Sequence, residues 1–284
     1  MQPQLVRQTT GDLIYAASSG DAIDILSYPE GRFIESFAPA NTLSQQGLCS
    51  DSSGDVFVAS LDGGKQGYVY EYAHGGSQPI QTFPEKQTWP FGCAVDSLTG
   101  NLAVSSINSV GGPGYVAIYK KATGAPTVYR DPEFSNYYFC GYDDKGNLFV
   151  DGTGGGDQIY LADLPKGSSS FSTFSLRKSI TEPRQIQWDG KYISLAEQDK
   201  RSYELHRLSF SGSTATIVGT TKLRKWLAHG LVQSWIEGNA VLVPTGHVEG
   251  QLGFWHYPAA GRPTKKVPKL SGLLGVTISR APHG

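Results

Sequence analysis

The stretch WPFGCAVDSLTGNLAVSSI, from Trp89 to Ile107, contains an apolar run, a turn that begins at an Asp and closes on a Gly, and a second apolar run. The same pattern occurs in GLCSDSSGDVFVAS at 47–60 and in FCGYDDKGNLFVDG at 139–152. One copy predicts a β-hairpin, because β-branched and aromatic residues favour strands while Asp, Ser and Gly favour turns. Several copies at a fixed spacing predict a repeated sheet.

The glycine that closes the Asp turn recurs at an almost constant interval. Successive copies are 46, 46, 44, 48 and 46 residues apart, at Gly54, Gly100, Gly146, Gly190, Gly238 and Gly284. A period in this range with several short strands per unit is typical of β-propeller blades. Each unit contains four predicted strands, and no stretch shows a convincing helical period. We therefore predict an all-β, six-bladed β-propeller with four antiparallel strands per blade.

The two ends of the chain contain complementary parts of one unit. Residues 275–284 have the pattern of a first strand, and residues 11–37 have the pattern of the second, third and fourth strands. We expect these segments to form one shared blade, closed by pairing of the C-terminal strand with the N-terminal strands. The whole chain, 1–284, is then a single domain. Its other blades are expected at 47–83, 92–129, 140–176, 186–223 and 232–267.

Composition narrows the range of partners and compartments. The 284 residues include 24 Lys and Arg against 25 Asp and Glu, so no basic field indicates nucleic acid binding. No apolar stretch approaches the roughly 18–20 residues that span a membrane, and no signal peptide is visible at the start of the chain. The high Gly and Tyr content suits an exported, turn-rich β protein. We expect a monomer in the periplasm or outside the cell, with a cytoplasmic location left open.

The three cysteines are expected to be buried thiols. Cys93 and Cys140 occupy equivalent positions in consecutive units, and Cys49 falls one position later. Packed sheets lie about 10 Å apart, whereas a disulfide requires Cα atoms within about 7 Å. This spacing predicts that no disulfide forms and that the thiols pack as small apolar residues.

The pattern Asp-x-x-Gly-Asn-Leu-x-Val, followed by a Gly-Tyr-Val third strand, resembles the NHL-like and SMP-30-like group of six-bladed propellers. The stretches IQWDGKYISLAEQD and YPAAGRPTKK also resemble bacterial exported propeller proteins of unassigned function. The resemblance implies the fold but not an activity, because the wider group contains metal-dependent lactonases and hydrolases, lyases and binding proteins. The Glu-Gly-Pro motif of its lactonases is not reproduced by TEPRQIQWDG at 181–190.

A binding site is expected where the first strands begin, around the mouth of the central channel. Alignment of the units on their first strands gives one residue per blade at this mouth: Gln46, Phe91, Tyr138, Arg184, His229 and Leu274. Trp89 and Tyr137 are expected on the same face. Aromatic side chains beside an Arg suit a small molecule or a peptide, since Arg binds carboxylate or phosphate and aromatic rings stack on sugar or aromatic rings.

Two alternatives to a binding protein stay open, so the sequence does not decide whether the chain is an enzyme. His229, His247 and Glu197 have side chains that suit a divalent cation, zinc or calcium, in a metal-dependent hydrolase, lactonase or lyase. They lie in different loops without motif spacing. The varied loops of this face also suit a protein–protein interaction scaffold.

Overall fold

Strands occupy most of the chain. The computed structural model describes residues 11–18, 22–39, 44–61, 66–108, 112–198, 202–224, 233–244, 250–270 and 272–282. Within these ranges the only helices are two single 3-10 turns, at Lys120–Ala122 and Gly155–Asp157. No helix among the described residues is both long enough and apolar enough to cross a lipid bilayer.

The strands follow one another in groups that match the repeat. The first group has three strands: β1 Leu13–Ser18, β2 Ile23–Ser27 and β3 Phe33–Phe37. The next two groups are β4 Ser44–Ser50, β5 Val56–Leu61, β6 Gln66–Tyr72 and β7 Pro79–Lys86, then β8 Thr88–Val95, β9 Leu102–Asn108, β10 Val116–Tyr119 and β11 Thr127–Tyr129. The fourth and fifth groups are β12 Asn136–Tyr142, β13 Leu148–Thr153, β14 Ile159–Leu164 and β15 Ser172–Leu176, then β16 Pro183–Trp188, β17 Ile193–Gln198, β18 Tyr203–Ser211 and β19 Thr214–Leu223. The last strands are β20 Trp235–Glu237, β21 Ala240–Pro244, β22 Leu252–His256, β23 Lys265–Val267 and β24 Leu273–Ser279.

These strands form a propeller-like set of sheets. Four sheets have four strands each, in the orders β24-β1-β2-β3, β4-β5-β6-β7, β11-β10-β9-β8 and β20-β21-β22-β23. The remaining strands form one eight-stranded sheet, which differs from the predicted set of separate blades. Its antiparallel halves, β12–β15 and β16–β19, are joined where Ser175 and Leu176 pair in parallel with Thr214 and Ala215.

The predicted pairing between the ends of the chain is present. β24 lies antiparallel to β1, with Leu13 opposite Ser279 and Ala17 opposite Gly275. The N–H of Ala281 also donates to the carboxylate of Asp12 at 2.8 Å. Strands from the two ends therefore share one sheet.

The Asp-led turns have a common geometry that explains the repeated motif. The carboxylate of Asp51 accepts hydrogen bonds from the N–H groups of Ser53 and Asp55, both at 2.9 Å. The same contact, with the N–H two residues later, occurs at Asp96, Asp143 and Asp189. The glycine that follows has a positive φ, for example 88° at Gly54, which side chains disfavour. The Asp and the Gly are thus both required by the turn.

The first strands of consecutive sheets approach one another so closely that side chains do not fit between them. A Cβ added to Gly47 would lie 2.6 Å from the carbonyl oxygen of Phe91, and one added to Gly92 would lie 2.8 Å from that of Tyr138. Gly275, at the equivalent position of β24, and Gly141, farther along β12, face the same limit, at 2.8 and 2.7 Å from main-chain oxygens. Glycine is therefore required where these strands meet.

The expectation of three free thiols is wrong for two of them, because Cys49 and Cys93 form a disulfide with their Cα atoms 5.6 Å apart. The spacing of packed sheets does not apply to first strands that approach this closely. Cys49 lies on one face of β4, and Cys93 lies on the opposite face of the equivalent strand β8. Because the two sheets are neighbours, these two faces pack against each other, and both cysteines belong to the same core cluster. Cys140 is a buried free thiol, as expected.

We expect the disulfide to contribute about 2–4 kcal/mol to the free energy of unfolding, because it closes a long loop in the unfolded chain. The Cys49→Ala/Cys93→Ala variant should lose this amount in denaturant unfolding followed by circular dichroism. Thiol titration of the denatured parent should find one free cysteine, and Cys140→Ala is the control. Three titratable thiols in the unreduced parent would contradict the pairing.

Replacing Gly92 by Ala should lower the free energy of unfolding by about 1–3 kcal/mol through overpacking. The new Cβ would lie 2.8 Å from the Tyr138 oxygen and 3.1 Å from the Phe139 Cα, and both atoms are main chain. Chemical denaturation measures the loss. Gly112→Ala is the matched control, since a Cβ there meets nothing within 4 Å. Equal losses in both variants would refute the steric explanation.

Candidate functional site

A β-bulge occurs at the same place in five first strands. The register shifts by one residue between Gln45 and Leu48, Pro90 and Gly92, Tyr137 and Cys140, Pro183 and Gln185, and Leu273 and Gly275. These intervals contain the predicted mouth residues Gln46, Phe91, Tyr138, Arg184 and Leu274. Bulges re-aim side chains and are common beside functional sites. The sixth predicted position, His229, lies outside the described residues.

The predicted mouth residues are in strands, not in the loops before them. The first strands begin earlier than the apolar runs indicate, so that β8, for example, starts at Thr88. Gln46, Phe91 and Leu274 line one small opening together with Gly47, Phe139 and Gln233. Its volume is about 10 Å³, which is close to the space for a single water. The mouth is therefore a rim around a nearly closed aperture.

Gln233 narrows this aperture. Its side-chain amide accepts the N–H of Leu48 at 2.6 Å and donates to the carbonyl oxygen of the same residue at 2.7 Å. Its own N–H donates to the oxygen of Leu274. One buried glutamine thus joins the β20 region to β4 and β24, and a ligand at the rim would lie across this end rather than enter it.

Aromatic side chains form one side of the rim. The rings of Phe91 and Tyr138 are 5.5 Å apart, and those of Phe91 and Phe139 are 5.2 Å apart. The hydroxyl of Tyr138 is 3.2 Å from that of Thr153. Phe91 and Tyr138 are half-buried, so each presents part of its ring to solvent. Trp89, also half-buried, lies two residues before Phe91 in β8.

Tyr137 is not part of the rim, contrary to the prediction. It is fully buried, and its ring stacks on that of Phe134 with centroids 4.7 Å apart. Its hydroxyl accepts the N–H of Asp131 at 2.6 Å. Adjacent residues of a strand point to opposite faces, so the exposure of Tyr138 directs Tyr137 into the core between sheets.

Arg184 is buried and has partners on its own sheet. Its guanidinium donates to Gln198 at 3.2 Å and to the exposed carboxylate of Glu182 at 2.5 Å. Burial lowers the pKa of Arg184, and the charge of Glu182 opposes this effect. The side chain is therefore fixed, and Glu182 shields it on the solvent side.

Asp151 lies opposite the bulge of β12, where the other units have smaller residues such as Ala59 and Ser105. One oxygen of its carboxyl accepts the N–H of Phe139 at 2.8 Å. The other oxygen, Oδ2, is buried and has no partner among the described residues. Burial raises the pKa of Asp151 from 3.8 to about 7, against the opposing effects of the Phe139 hydrogen bond and the charge of Arg184.

The predicted metal ligand Glu197 belongs to an ion-pair cluster. Potential ligand atoms of Glu197, Glu204 and His206 lie within 4.8 Å of one another. The ammonium of Lys178 occupies the same cluster, 2.8 Å from Glu197 and 3.1 Å from His206. Although burial raises the pKa of Glu197, hydrogen bonds from Lys178 and Thr181 hold it below its ordinary value.

This cluster does not fit a resident metal ion, because a lysine already supplies the positive charge that the carboxylates require. A second lysine, Lys222, contacts Glu204 at 2.7 Å. Burial lowers the pKa of His206, and its Nδ1 is 3.0 Å from the hydroxyl of Thr220. The other two predicted ligands, His229 and His247, lie outside the described residues.

The free cysteine does not form a nucleophilic site. Burial raises the pKa of Cys140 to about 12, and its sulfur contacts the carbonyl oxygen of Ala103. Since the thiolate is the reactive form, Cys140 is inert near neutral pH.

Comparison with known proteins identifies the fold and no family. No family model matches the chain, and no curated protein matches it. The chain is similar to a structure from a nidogen/laminin complex, at 13% identity and a TM-score of 0.70, covering 96% of this chain and 100% of that one. A Bacteroides caccae protein of unknown function gives 10% identity, a TM-score of 0.70 and the same coverage. TolB from Acinetobacter baumannii gives 13%, a TM-score of 0.66, and coverage of 96% and 67%. These neighbours are β-propeller-like proteins.

Of two residues that shape the site, the sequence pattern places Asp151 on the same face as the rim, and it gives no indication of Gln233. Asp151 carries a visible signal, since it is a carboxyl at a strand position where other copies have Ala or Ser. Gln233 carries none, because its contact with Leu48 joins residues 185 positions apart.

We predict that the Asp151→Asn variant gains stability relative to the parent as pH rises. Between about pH 4 and pH 7 the unfolded chain releases the Asp151 proton while the folded chain retains it, so the parent loses stability over this range. The difference in free energy of unfolding between variant and parent should grow by about 1–3 kcal/mol.

Urea unfolding at pH values between 4 and 8 provides the measurement. The control is Asp144→Asn, which removes an exposed carboxyl from the same unit. A difference between Asp151→Asn and the parent that stays constant with pH would show that Asp151 is ionised throughout.

Proposed function

We propose that the protein is an exported β-propeller that binds a small molecule or a peptide at the bulged ends of its first strands. The observation that carries this proposal is the recurrence of the bulge in five strands, with Gln46, Phe91 and Leu274 around one opening. Without the bulges, strand alternation would direct some of these side chains into the cores between sheets.

The proposed architecture is a six-bladed propeller of the NHL-like and SMP-30-like kind, in a single domain. Each antiparallel half of the eight-stranded sheet is taken as one blade, because β12–β15 and β16–β19 each repeat the strand order of the separate sheets. The two residue pairs that join the halves are parallel, unlike the antiparallel pairs within every blade.

The chemistry of the rim favours a ligand with a flat ring. Phe91 and Tyr138 present adjacent ring surfaces, on which a sugar or an aromatic group can stack. Gln46 adds an amide that is held by the hydroxyl of Ser44 at 3.0 Å. Glu182, which lies on the same face and is paired with Arg184, is an exposed carboxylate, so a ligand with a hydrogen-bond donor is favoured over a carboxylate.

Export is proposed on the disulfide between Cys49 and Cys93, since disulfides persist in oxidising compartments. We propose a periplasmic or extracellular monomer. The TolB structure among the neighbours is compatible with this location.

A protein-interaction scaffold is the second candidate. One similar structure comes from a nidogen/laminin complex, and a peptide segment of a partner protein would use the same rim. In both cases the proposed role of the chain is binding.

The test is selection of ligands from a small-molecule fragment library and a random peptide library on the parent. We expect the Phe91→Ala/Tyr138→Ala variant to bind the selected ligands about tenfold more weakly, because each ring contributes stacking area. Affinities are measured by calorimetry. Phe33→Ala, which removes an equally large ring that is 59% exposed on β3, is the matched control. Selected ligands that bind the double variant as tightly as the parent would contradict the proposed rim.

A further inference from the structure

A second cavity lies between the two halves of the eight-stranded sheet. We call it the β15–β16 cleft, and the lining residues that matter are Asp151, Leu161, Phe174, Lys178, Ile180 and Leu195. Its volume is about 720 Å³, within the range of about 300–1,000 Å³ of small-molecule sites. None of the residues predicted for the rim lines this cleft.

The deep wall of the cleft is apolar. Leu161 and Ile180 are buried, as is Leu195, and Phe174 is half-buried beside them. These residues belong to the core cluster between the two halves. Phe174 also packs against Phe210 with ring centroids 4.7 Å apart. An apolar body of moderate size would therefore find contacts on strands of both halves.

One buried polar group in this wall lacks a partner. Oδ2 of Asp151 makes no hydrogen bond among the described residues, while Oδ1 of the same carboxyl is bonded to the N–H of Phe139. Buried polar atoms of folded proteins are nearly always hydrogen-bonded, and an unsatisfied one destabilises the fold. A hydrogen-bond donor placed in the cleft would remove this destabilisation.

The exposed cations at the entrance disfavour a cationic donor, Arg177 more than Lys178, because Lys178 is paired with Glu197 and Glu204. Arg177 and Lys178 both line the cleft and are exposed, against the single carboxylate of Glu133. Lys178 is also fixed in place by its contact with Glu197 at 2.8 Å. A neutral hydroxyl reaches Asp151 without repulsion from these two side chains.

We propose that the β15–β16 cleft binds a small neutral amphipathic molecule, whose apolar body packs on Leu161, Phe174 and Leu195 and whose hydroxyl donates to Oδ2 of Asp151. This is a ligand site separate from the proposed rim site, and it does not depend on it. The chemistry that recognises the ligand is one hydroxyl on an apolar ring or short chain.

The experiment compares two probes, naphthol and its methyl ether, methoxynaphthalene, by equilibrium dialysis against the full chain. At about pH 8, above the pKa of Asp151, we expect the parent to bind naphthol about tenfold more tightly, because only naphthol can donate to the carboxylate. In Asp151→Asn the amide oxygen retains the Phe139 hydrogen bond and its NH₂ faces the cleft, so the preference should vanish. Asp144→Asn should retain it.

Location is tested with Ile159→Trp, which enlarges a half-buried side chain that lines the cleft on the same face as Leu161 and should weaken both probes about tenfold. Thr216→Trp, at an exposed position of β19, should leave both affinities unchanged. Phe91→Ala/Tyr138→Ala should also leave them unchanged, which separates this site from the rim. Equal binding of the two probes by the parent, no binding of either, or unaltered binding in Ile159→Trp would overturn the proposal. The Ile159→Trp result decides if Asp151→Asn fails to fold.

Discussion

The close approach of the first strands is the constraint on which the rest of the structure depends. Main-chain oxygens of one first strand lie close to where a Cβ of the neighbouring first strand would be. A larger residue would therefore require the backbone to move at Gly47, Gly92, Gly141 and Gly275. The same proximity brings Cys49 and Cys93 within disulfide distance. It also leaves only a narrow aperture, which the amide of Gln233 narrows further.

The bulges lie beside these crowded contacts and account for the candidate site. Each places one extra residue in a first strand, and a polar group of the neighbouring strand compensates some of the displaced backbone. The hydroxyl of Ser105 donates to the oxygens of Gly92 and Tyr138, and Asp151 accepts the N–H of Phe139. Unlike the hydroxyl of Ser105, the carboxyl of Asp151 has a second oxygen, which is left without a partner among the described residues. This oxygen is the polar group that the β15–β16 cleft offers to a ligand.

The repeat, the Asp turns and the pairing of β24 with β1 were predictable, because each depends on local pattern or on spacing along the chain. The aligned positions from Gln46 to Leu274 coincide with the bulges for the same reason. Burial was harder to predict. Tyr138 at the rim and Tyr137 in the core are adjacent in sequence, so an error of one residue in the alignment exchanges them. The contact of Arg184 with Gln198 depends on the pairing of two strands and is not visible in the repeat. Prediction of the disulfide requires the distance between β4 and β8, and the sequence pattern does not give this distance.

The junction of β15 with β19 has a consequence for self-association. The outer strand of a blade exposes unpaired N–H and C=O groups, which can template pairing with another chain and lead to aggregation. At this junction two such outer strands satisfy part of each other's hydrogen bonding, as in the bond from Ser175 N–H to the oxygen of Ser213. The outer strand of another sheet, β7, contains Pro79 and Pro84, whose main-chain nitrogens have no hydrogen to donate. Different blades therefore protect their outer edges by different means.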